Sequence, residues 1–152
     1  MSKLRIGWFT FTCCEDSTII FTELLNTYWD QWSKKIEFVS ARVLGAKGEI
    51  ANLDISFVEG AISSKDQAEK LKKIRENSRI VIAIGSCAVT GMPSGWRNTF
   101  DEKTKAEIAP LVARFSHLST VEPIGKFIKV DDTVPGCPMS EEGFLQVLNK
   151  YL

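Results

Sequence analysis

The sequence predicts an α/β fold, in which a mainly parallel sheet is doubly wound with helices. Short runs of β-forming residues alternate along the chain with stretches of helical periodicity. One of these runs, RIVIAI at positions 79–84, is nearly all apolar, as expected for a strand buried on both faces of a parallel sheet. The chain has 152 residues, of which 44% are hydrophobic. This is enough to build one globular domain around a buried core.

The predicted elements follow from local patterns of apolar and turn-forming residues. Clusters of β-formers predict strands at residues 3–10, 36–43, 53–58, 79–84 and 127–130. Helical spacing predicts one helix from Asp16 or Ser17 to about Trp32, one capped by Ser64, one over residues 104–115 and one from Ser140 to Tyr151. The glycines and proline of residues 85–98 indicate a long loop. We therefore expect a single flavodoxin-like domain over residues 1–152.

The charge balance and the N-terminus exclude several classes of protein. Lys plus Arg and Asp plus Glu both number 19, so no basic surface for nucleic acid is indicated. The first residues, MSKLRIGWFTFT, contain no apolar stretch followed by a cleavage site, which predicts no secretory signal. The apolar runs are too short to cross a bilayer. These features predict a cytoplasmic protein without a membrane span.

The positions of the four cysteines are more informative than their number. Cys13 and Cys14 follow the first predicted strand, Cys87 follows RIVIAI, and Cys137 follows the last strand. The carboxyl ends of parallel strands lie at one edge of the sheet, where ligands bind in open α/β folds. We therefore expect all four thiols at that edge, although long stretches of chain separate them.

Three interpretations of these cysteines remain open on the residues alone. Four thiolates suit an iron–sulfur cluster or a zinc ion, and disulfides are disfavoured in a reducing compartment. Structural zinc sites favour C-x2-C pairs, which this chain lacks, whereas a larger cluster accepts ligands spread around it. The third interpretation is four unrelated buried thiols, since free cysteine is often buried.

Four segments of the chain resemble a known family in the same order. They are FTFTCCEDS, LDISFVEGAI, IVIAIGSCAVTGMPSGWRN and VPGCPMSEE. The chain thus resembles the small subunits of NiFe-hydrogenases and the related 20 kDa subunit of NADH:quinone oxidoreductase. The resemblance implies a flavodoxin-like domain, one proximal 4Fe–4S cluster and an electron-transfer role. It further implies a large Ni–Fe catalytic subunit as partner, with other Fe–S or flavin subunits, and Cys13, Cys14, Cys87 and Cys137 as cluster ligands.

The first cysteine site departs from the usual hydrogenase pattern. Phe11 stands where the first cysteine of a C-x-x-C pair is usual, and the two cysteines are adjacent, as in the quinone oxidoreductase relatives. Other segments, including CAVTGMPSGWRN, look more like pyridine-nucleotide-linked hydrogenases. The alternatives are therefore the equivalent subunit of a quinone-reducing complex, a flavodoxin-like FMN carrier and a zinc-stabilised interaction module. No further cysteine is present in this sequence for a second cluster.

Several other residues are candidates for supporting roles. Glu15 and Asp16 could relay protons or simply stabilise the start of a helix. Glu59, in VEGAI, lies at a strand end on the functional edge. We expect His117, the only histidine, to be structural or solvated on the side away from the cysteines.

The tryptophans divide into core and interface candidates. We expect Trp8 and Trp29 in the core. Trp96 and Arg97 lie in the glycine-rich loop and are better interface candidates. That loop is no phosphate-binding loop, because it lacks the terminal Gly-Lys-Ser/Thr.

Overall fold

The computed structural model describes residues 2–152 and has an α/β architecture. The strands are β1 Leu4–Thr10, β2 Ile36–Ala41, β3 Ala46–Lys47, β4 Leu53–Glu59, β5 Ile62–Ser64, β6 Ser78–Ile84, β7 His117–Glu122 and β8 Asp132–Val134. The helices are α1 Asp16–Lys35, α2 Lys65–Glu76, α3 Gly85–Thr90, α4 Glu102–Arg114 and α5 Glu141–Tyr151. Short 3-10 turns occupy Arg42–Leu44, Trp96–Thr99 and Ile124–Lys126.

The central sheet has the predicted flavodoxin-like order. Its strands lie in the order β3-β2-β1-β4-β6-β8, and all neighbours pair in parallel except the two-residue edge strand β3. Numbered among themselves, the parallel strands lie in the order 2-1-3-4-5, which is the flavodoxin order. β5 and β7 form a separate antiparallel ribbon.

Helices cover both faces of this sheet. On one face, α1 and α5 bury Phe21, Trp32 and Phe144 against Trp8 of β1. On the other face, α2 and α3 pack on β4 and β6, with Leu71 among the fully buried side chains. Residues 80–84 of β6 are all apolar because both faces of the strand are covered there.

The prediction of a last strand at residues 127–130 is wrong. The strand β8 begins at Asp132, and the preceding apolar residues pack against the α2 face of the core instead of pairing with β6. Asp131 provides the physical reason. Its backbone N–H donates to the Val81 carbonyl at 2.9 Å, and its carboxylate accepts the Val81 N–H at 2.9 Å. Pairing with β6 therefore starts only at this residue.

The segment expected to be a long loop begins with helix α3, and the ribbon of β5 and β7 was not predicted. Because β7 folds back onto β5, His117 is paired with Ser64. His117 is exposed, as expected, but it lines a groove together with Thr12 and Ser94. It is not among the residues that line the cysteine pocket, and its expected position away from the cysteines stays a prediction.

Two predicted helix caps are confirmed, and one of the two tryptophans expected in the core is exposed. Ser64 and Ser140 cap α2 and α5 as predicted, since their hydroxyls accept the N–H groups of Gln67 and Gly143. Trp8 is only 3% exposed, as expected of a core residue, whereas Trp29 is 52% exposed and is not part of the core.

Candidate functional site

The four cysteines meet at the carboxyl edge of the parallel sheet. Cys13 and Cys14 follow β1, Cys87 lies in α3 directly after β6, and Cys137 follows β8. All four line one pocket. The expectation that the fold brings these distant cysteines together is therefore met, and it follows from the shared direction of the three strands.

The four cysteines that line the pocket differ in solvent exposure. Cys87 is 8% exposed and Cys13 is half-buried, whereas Cys14 and Cys137 are exposed. None of the four is in a disulfide. The thiols thus surround a space that reaches from the protein interior to its surface.

A short extension of the sheet positions the adjacent cysteine pair. Beyond β1, the Thr12 N–H donates to the Ala61 carbonyl at 3.0 Å, and the Ala61 N–H donates back at 2.9 Å. Gly60 makes this close approach possible, because a Cβ there would lie 2.8 Å from the Phe11 carbonyl carbon. The chain leaves this regular pairing immediately before Cys13, so the pair sits on irregular backbone.

Contacts between one loop and the starts of two helices position the other two cysteines. The Ser86 N–H donates to the Gly136 carbonyl at 2.7 Å, which ties the start of α3 to the loop that carries Cys137. The Met139 N–H donates to the Ser17 hydroxyl at 3.0 Å and ties the same loop to α1. A Cβ at Gly85 would lie 3.0 Å from that hydroxyl oxygen, so the glycine is needed for this approach.

The electrostatics of the pocket disfavour free thiolates. Burial, with a further contribution from the charge of Glu59, raises the pKa of Cys13 to about 12. The hydrogen bond that Cys137 donates to Asp16, with the charge of that carboxylate, raises the pKa of Cys137. Ionising these thiols would require a compensating positive charge in the pocket, which metal ions supply.

The three acidic residues singled out in the sequence have different surroundings. Glu59 is 2% exposed and lines the cysteine pocket, and burial raises its pKa despite hydrogen bonds from Thr18 and Ser17. Asp16 lines the pocket too and accepts the Ser17 N–H at 2.8 Å. Glu15 instead forms an ion pair with the exposed Arg42.

A buried chain of hydrogen bonds connects the pocket to the aromatic core. The Trp8 indole N–H donates to the Thr18 hydroxyl at 2.9 Å, and this hydroxyl donates to the Glu59 carboxylate. Trp8 itself stacks on Phe21 with ring centroids 4.1 Å apart. Glu59, at the end of β4, is thus hydrogen-bonded to the first turn of α1 on the buried side of the pocket.

Ser94 contacts the site but was not predicted. Its hydroxyl oxygen lies 3.1 Å from the Cys87 sulfur and 2.9 Å from the Thr12 carbonyl oxygen. Only its place in a glycine-rich segment seven residues after Cys87 could have indicated it. Arg97 donates to the carbonyls of Leu118 and Ser119 and thereby contacts β7, and its expected place at an interface stays a prediction.

Residues 2–152 contain neither a single-ion metal site nor a membrane-spanning helix. No three His, Cys, Asp or Glu side chains in this range lie close enough together to hold a single metal ion. No helix in the same range combines the length and the apolar character needed to span a bilayer. A cluster differs from a single ion because each thiolate binds a separate iron, and the lining of one pocket by all four cysteines is the observation that bears on this hypothesis.

The family model that matches the chain describes the 20 kDa subunit of NADH:ubiquinone oxidoreductase, and the match covers residues 13–151. This range includes all four cysteines. The chain belongs to this family. The resemblance inferred from the motifs is therefore confirmed at the level of the family.

The relatives of this chain include subunits of hydrogenases. The chain is 33% identical over 112 residues to the delta subunit of the NAD-reducing hydrogenase HoxS of Cupriavidus necator, covering 62% of this chain and 53% of that protein. It is 32% identical over 137 residues to one subunit of the F420-non-reducing hydrogenase vhu of Methanocaldococcus jannaschii, covering 75% of this chain and 46% of that protein. The chain thus spans about half the length of these relatives.

Solved structures support the fold of this family member. A chain in the crystal structure of an NAD+-reducing [NiFe]-hydrogenase superposes with a TM-score of 0.84 and 21% identity, covering 97% of this chain and 90% of that chain. A chain of the [NiFeSe] hydrogenase from Desulfovibrio vulgaris Hildenborough superposes with a TM-score of 0.63 and 15% identity, covering 98% of this chain and 59% of that chain. At these identities the likeness establishes the fold.

Proposed function

We propose that this chain is the electron-transfer small subunit of a multi-subunit NiFe-hydrogenase and that it binds one 4Fe–4S cluster. Cys13, Cys14, Cys87 and Cys137 would be the ligands. The observation that carries the proposal is that all four thiols line one pocket at the carboxyl edge of the sheet. The hydrogenase subunits among its relatives support the choice of complex.

The residues of the pocket fit such a cluster. Four cysteines are the usual ligand set of a 4Fe–4S centre, and these four surround one space. Gly85 and Gly136, which line the pocket, have positive φ angles of 77° and 121°. A Cβ would lie 3.0 Å from the Ser17 hydroxyl oxygen at Gly85 and 2.5 Å from the Pro138 carbonyl oxygen at Gly136, so both positions require glycine. The burial that raises the pKa of Cys13 is itself offset when a thiolate binds a cation.

Each ligand would act from a fixed position. Cys87 is held in α3 at the buried end, and the loop of Cys137 is tied to α1 through Ser17. A bound cluster would supply one-electron redox chemistry at this edge. The chain's own contribution is to hold the four sulfurs, to cover the inner end of the pocket and to leave Cys14 and Cys137 facing outward.

The outward face would adjoin a large Ni–Fe catalytic subunit, and further Fe–S or flavin subunits would complete the complex. Trp96 is 63% exposed and directly follows the turn that carries Ser94, so it is a suitable contact for such a partner. We further propose that residues 1–152 act as one cluster-binding domain and that the complex is cytoplasmic.

Metal analysis of the anaerobically purified complex tests the cluster assignment. We expect close to four irons and four sulfides per chain, and an absorption shoulder near roughly 400 nm from thiolate-to-iron charge transfer. Stoichiometric zinc with negligible iron would contradict the proposal, and so would flavin absorption bands in place of the shoulder. The isolated chain should lose iron or aggregate, and co-expression with the large subunit should prevent this.

A second candidate is the equivalent subunit of an NADH:quinone oxidoreductase-like complex. The specific observation in its favour is the adjacent pair Cys13 and Cys14, which replaces the usual spaced pair. The same purified complex distinguishes the two functions. Nickel in the partner together with hydrogen-dependent dye reduction supports a hydrogenase. A nickel-free partner with quinone reduction supports the alternative.

A further inference from the structure

The hydroxyl group of Ser94 has two possible acceptors but only one hydrogen. Its oxygen lies 2.9 Å from the carbonyl oxygen of Thr12 and 3.1 Å from the sulfur of Cys87. While Cys87 is a neutral thiol, the carbonyl is the stronger acceptor. A sulfur carrying negative charge reverses this order, because charge-assisted hydrogen bonds are stronger than neutral ones.

If the Ser94 hydroxyl turns away from the Thr12 carbonyl, that carbonyl still accepts another hydrogen bond. It already accepts the backbone N–H of Ala61 at 2.9 Å. Cys87 is only 8% exposed, so water competes little for its sulfur. Reorienting the Ser94 hydroxyl toward Cys87 therefore leaves no buried acceptor without a partner.

Backbone contacts fix Ser94 in this position. The Gly95 N–H donates to the Gly91 carbonyl at 2.7 Å, and the Trp96 N–H donates to the Pro93 carbonyl at 3.0 Å. A Cβ at Gly95 would lie 2.7 Å from the Gly91 oxygen, so the turn is tightly closed. The hydroxyl is thus presented to Cys87 by a closed turn.

We infer that Ser94 donates its hydrogen bond to the Cys87 sulfur and thereby raises the reduction potential of the proposed cluster. The inference rests on the proposed function. One-electron reduction adds negative charge that is shared by the ligand sulfurs, so a donor stabilises the reduced form more than the oxidised form. The hydrogen remains on the Ser94 oxygen throughout. Ser94 is thus a positioning residue that acts through Cys87.

An EPR-monitored redox titration of the purified complex, with dithionite as reductant, tests this role. Ser94→Ala should keep close to wild-type iron content and shift the midpoint potential to a more negative value. We expect the equilibrium constant for reduction to fall by about two- to tenfold, where a tenfold change corresponds to about 59 mV for one electron. Ser94→Thr keeps the hydroxyl group and should restore a near-wild-type potential.

Thr99→Ala is the matched control. This exposed residue follows in the same segment, and its hydroxyl donates to the Trp96 carbonyl at 2.8 Å, so its removal loosens the segment without touching a cysteine. The control should leave the potential unchanged. An unchanged potential in a fully loaded Ser94→Ala complex would overturn the inference, as would equal shifts in Ser94→Ala and Thr99→Ala. A wild-type complex that binds no cluster would instead refute the proposed function.

Discussion

The carboxylate of Glu59 accepts the backbone N–H of Ser17 at 3.0 Å, from the end of β4 to the first turn of α1. Its second oxygen accepts the hydroxyl of Thr18. α1 has no side-chain cap at Glu15, so this carboxylate from another element shares the Ser17 N–H at the start of the helix with the Asp16 carboxylate. Because α1 begins two residues after Cys14, the same contact fixes the approach of the chain to the cysteine pair.

Replacing Glu59 by Gln should destabilise the protein although the side chains are nearly the same size. Both partners of Glu59 are donors, and the amide of Gln would present an NH2 group to one of them. We expect the free energy of unfolding to fall by about 1–3 kcal/mol, the usual penalty for an unsatisfied buried group. Urea unfolding measures this, with Glu107→Gln on the exposed face of α4 as a matched control. Wild-type stability in Glu59→Gln would contradict the assigned hydrogen bonds.

Gly85→Ala should be destabilising, whereas Gly125→Ala should be tolerated. Gly85 has a φ of 77°, and its new Cβ would lie 3.0 Å from the Ser17 hydroxyl oxygen. Gly125 faces open space, and a Cβ added there would have no neighbouring atom within 4 Å. We expect a loss of about 1–2 kcal/mol for the first substitution from the left-handed backbone alone. Thermal unfolding of the two variants checks this. Equal effects would show that the backbone at Gly85 is not constrained as described.

The sequence predicted the location of the cysteines but not the groups that surround them. Cys13, Cys14, Cys87 and Cys137 each follow a strand, and the direction of parallel strands is enough to bring them to one edge. The contacts that shape the pocket depend on how separate loops meet. The Met139 N–H and the Ser17 hydroxyl, for example, are 122 positions apart in the chain.

The errors in the predicted elements have similar causes. Residues 127–130 have a strand-like composition, but tertiary packing decides their state, because Asp131 sets the start of pairing with β6. The ribbon of β5 and β7 lacks a clear alternating pattern, since β7 has only one buried residue, Val121. Local patterns contain no information on such pairings between distant segments.

Trp96→Ala should weaken assembly with the proposed large subunit while leaving the fold intact. Trp96 is 63% exposed and sits beside the cysteine edge, whereas Trp29 is 52% exposed on α1 and serves as the control. A buried aromatic anchor at an interface contributes about 2 kcal/mol or more, which corresponds to roughly 30-fold weaker binding. Binding measurements on the two variants test this. Equal losses, or no loss at Trp96, would place the interface elsewhere.

Asp131→Asn should remove stability that depends on pH. Burial opposes ionisation of Asp131, but the hydrogen bonds from Arg75 and the Val81 N–H, with the nearby positive charges, outweigh it and lower its pKa. A lowered carboxyl pKa contributes stability above the ordinary value of about 3.9, and this stability is lost as the pH falls through the lowered pKa.

We therefore expect Asp131→Asn to reduce the free energy of unfolding by about 1–3 kcal/mol at neutral pH. The difference from the wild type should hold down to about pH 5 and shrink at lower pH. Urea unfolding as a function of pH measures it, with Asp30→Asn on the exposed surface of α1 as the control. A difference that grew on acidification would contradict the lowered pKa.

The adjacent cysteines provide the most direct test of the ligand assignment. The chain leaves regular pairing after Thr12, and Glu15 adopts a left-handed φ of 62°, so the intervening backbone is free to turn the two side chains in different directions. Cys13→Ser and Cys14→Ser should each remove or convert the cluster, seen as loss of the reduced-state EPR signal and of hydrogen-dependent dye reduction.

If only one of the pair were a ligand, an oxygen would have to complete the set. Asp16 lines the pocket, whereas Glu15 pairs with Arg42. Asp16→Asn in the wild-type background should therefore keep the cluster. A serine variant at either cysteine that keeps the wild-type spectrum and full activity would disprove the assignment of four cysteine ligands.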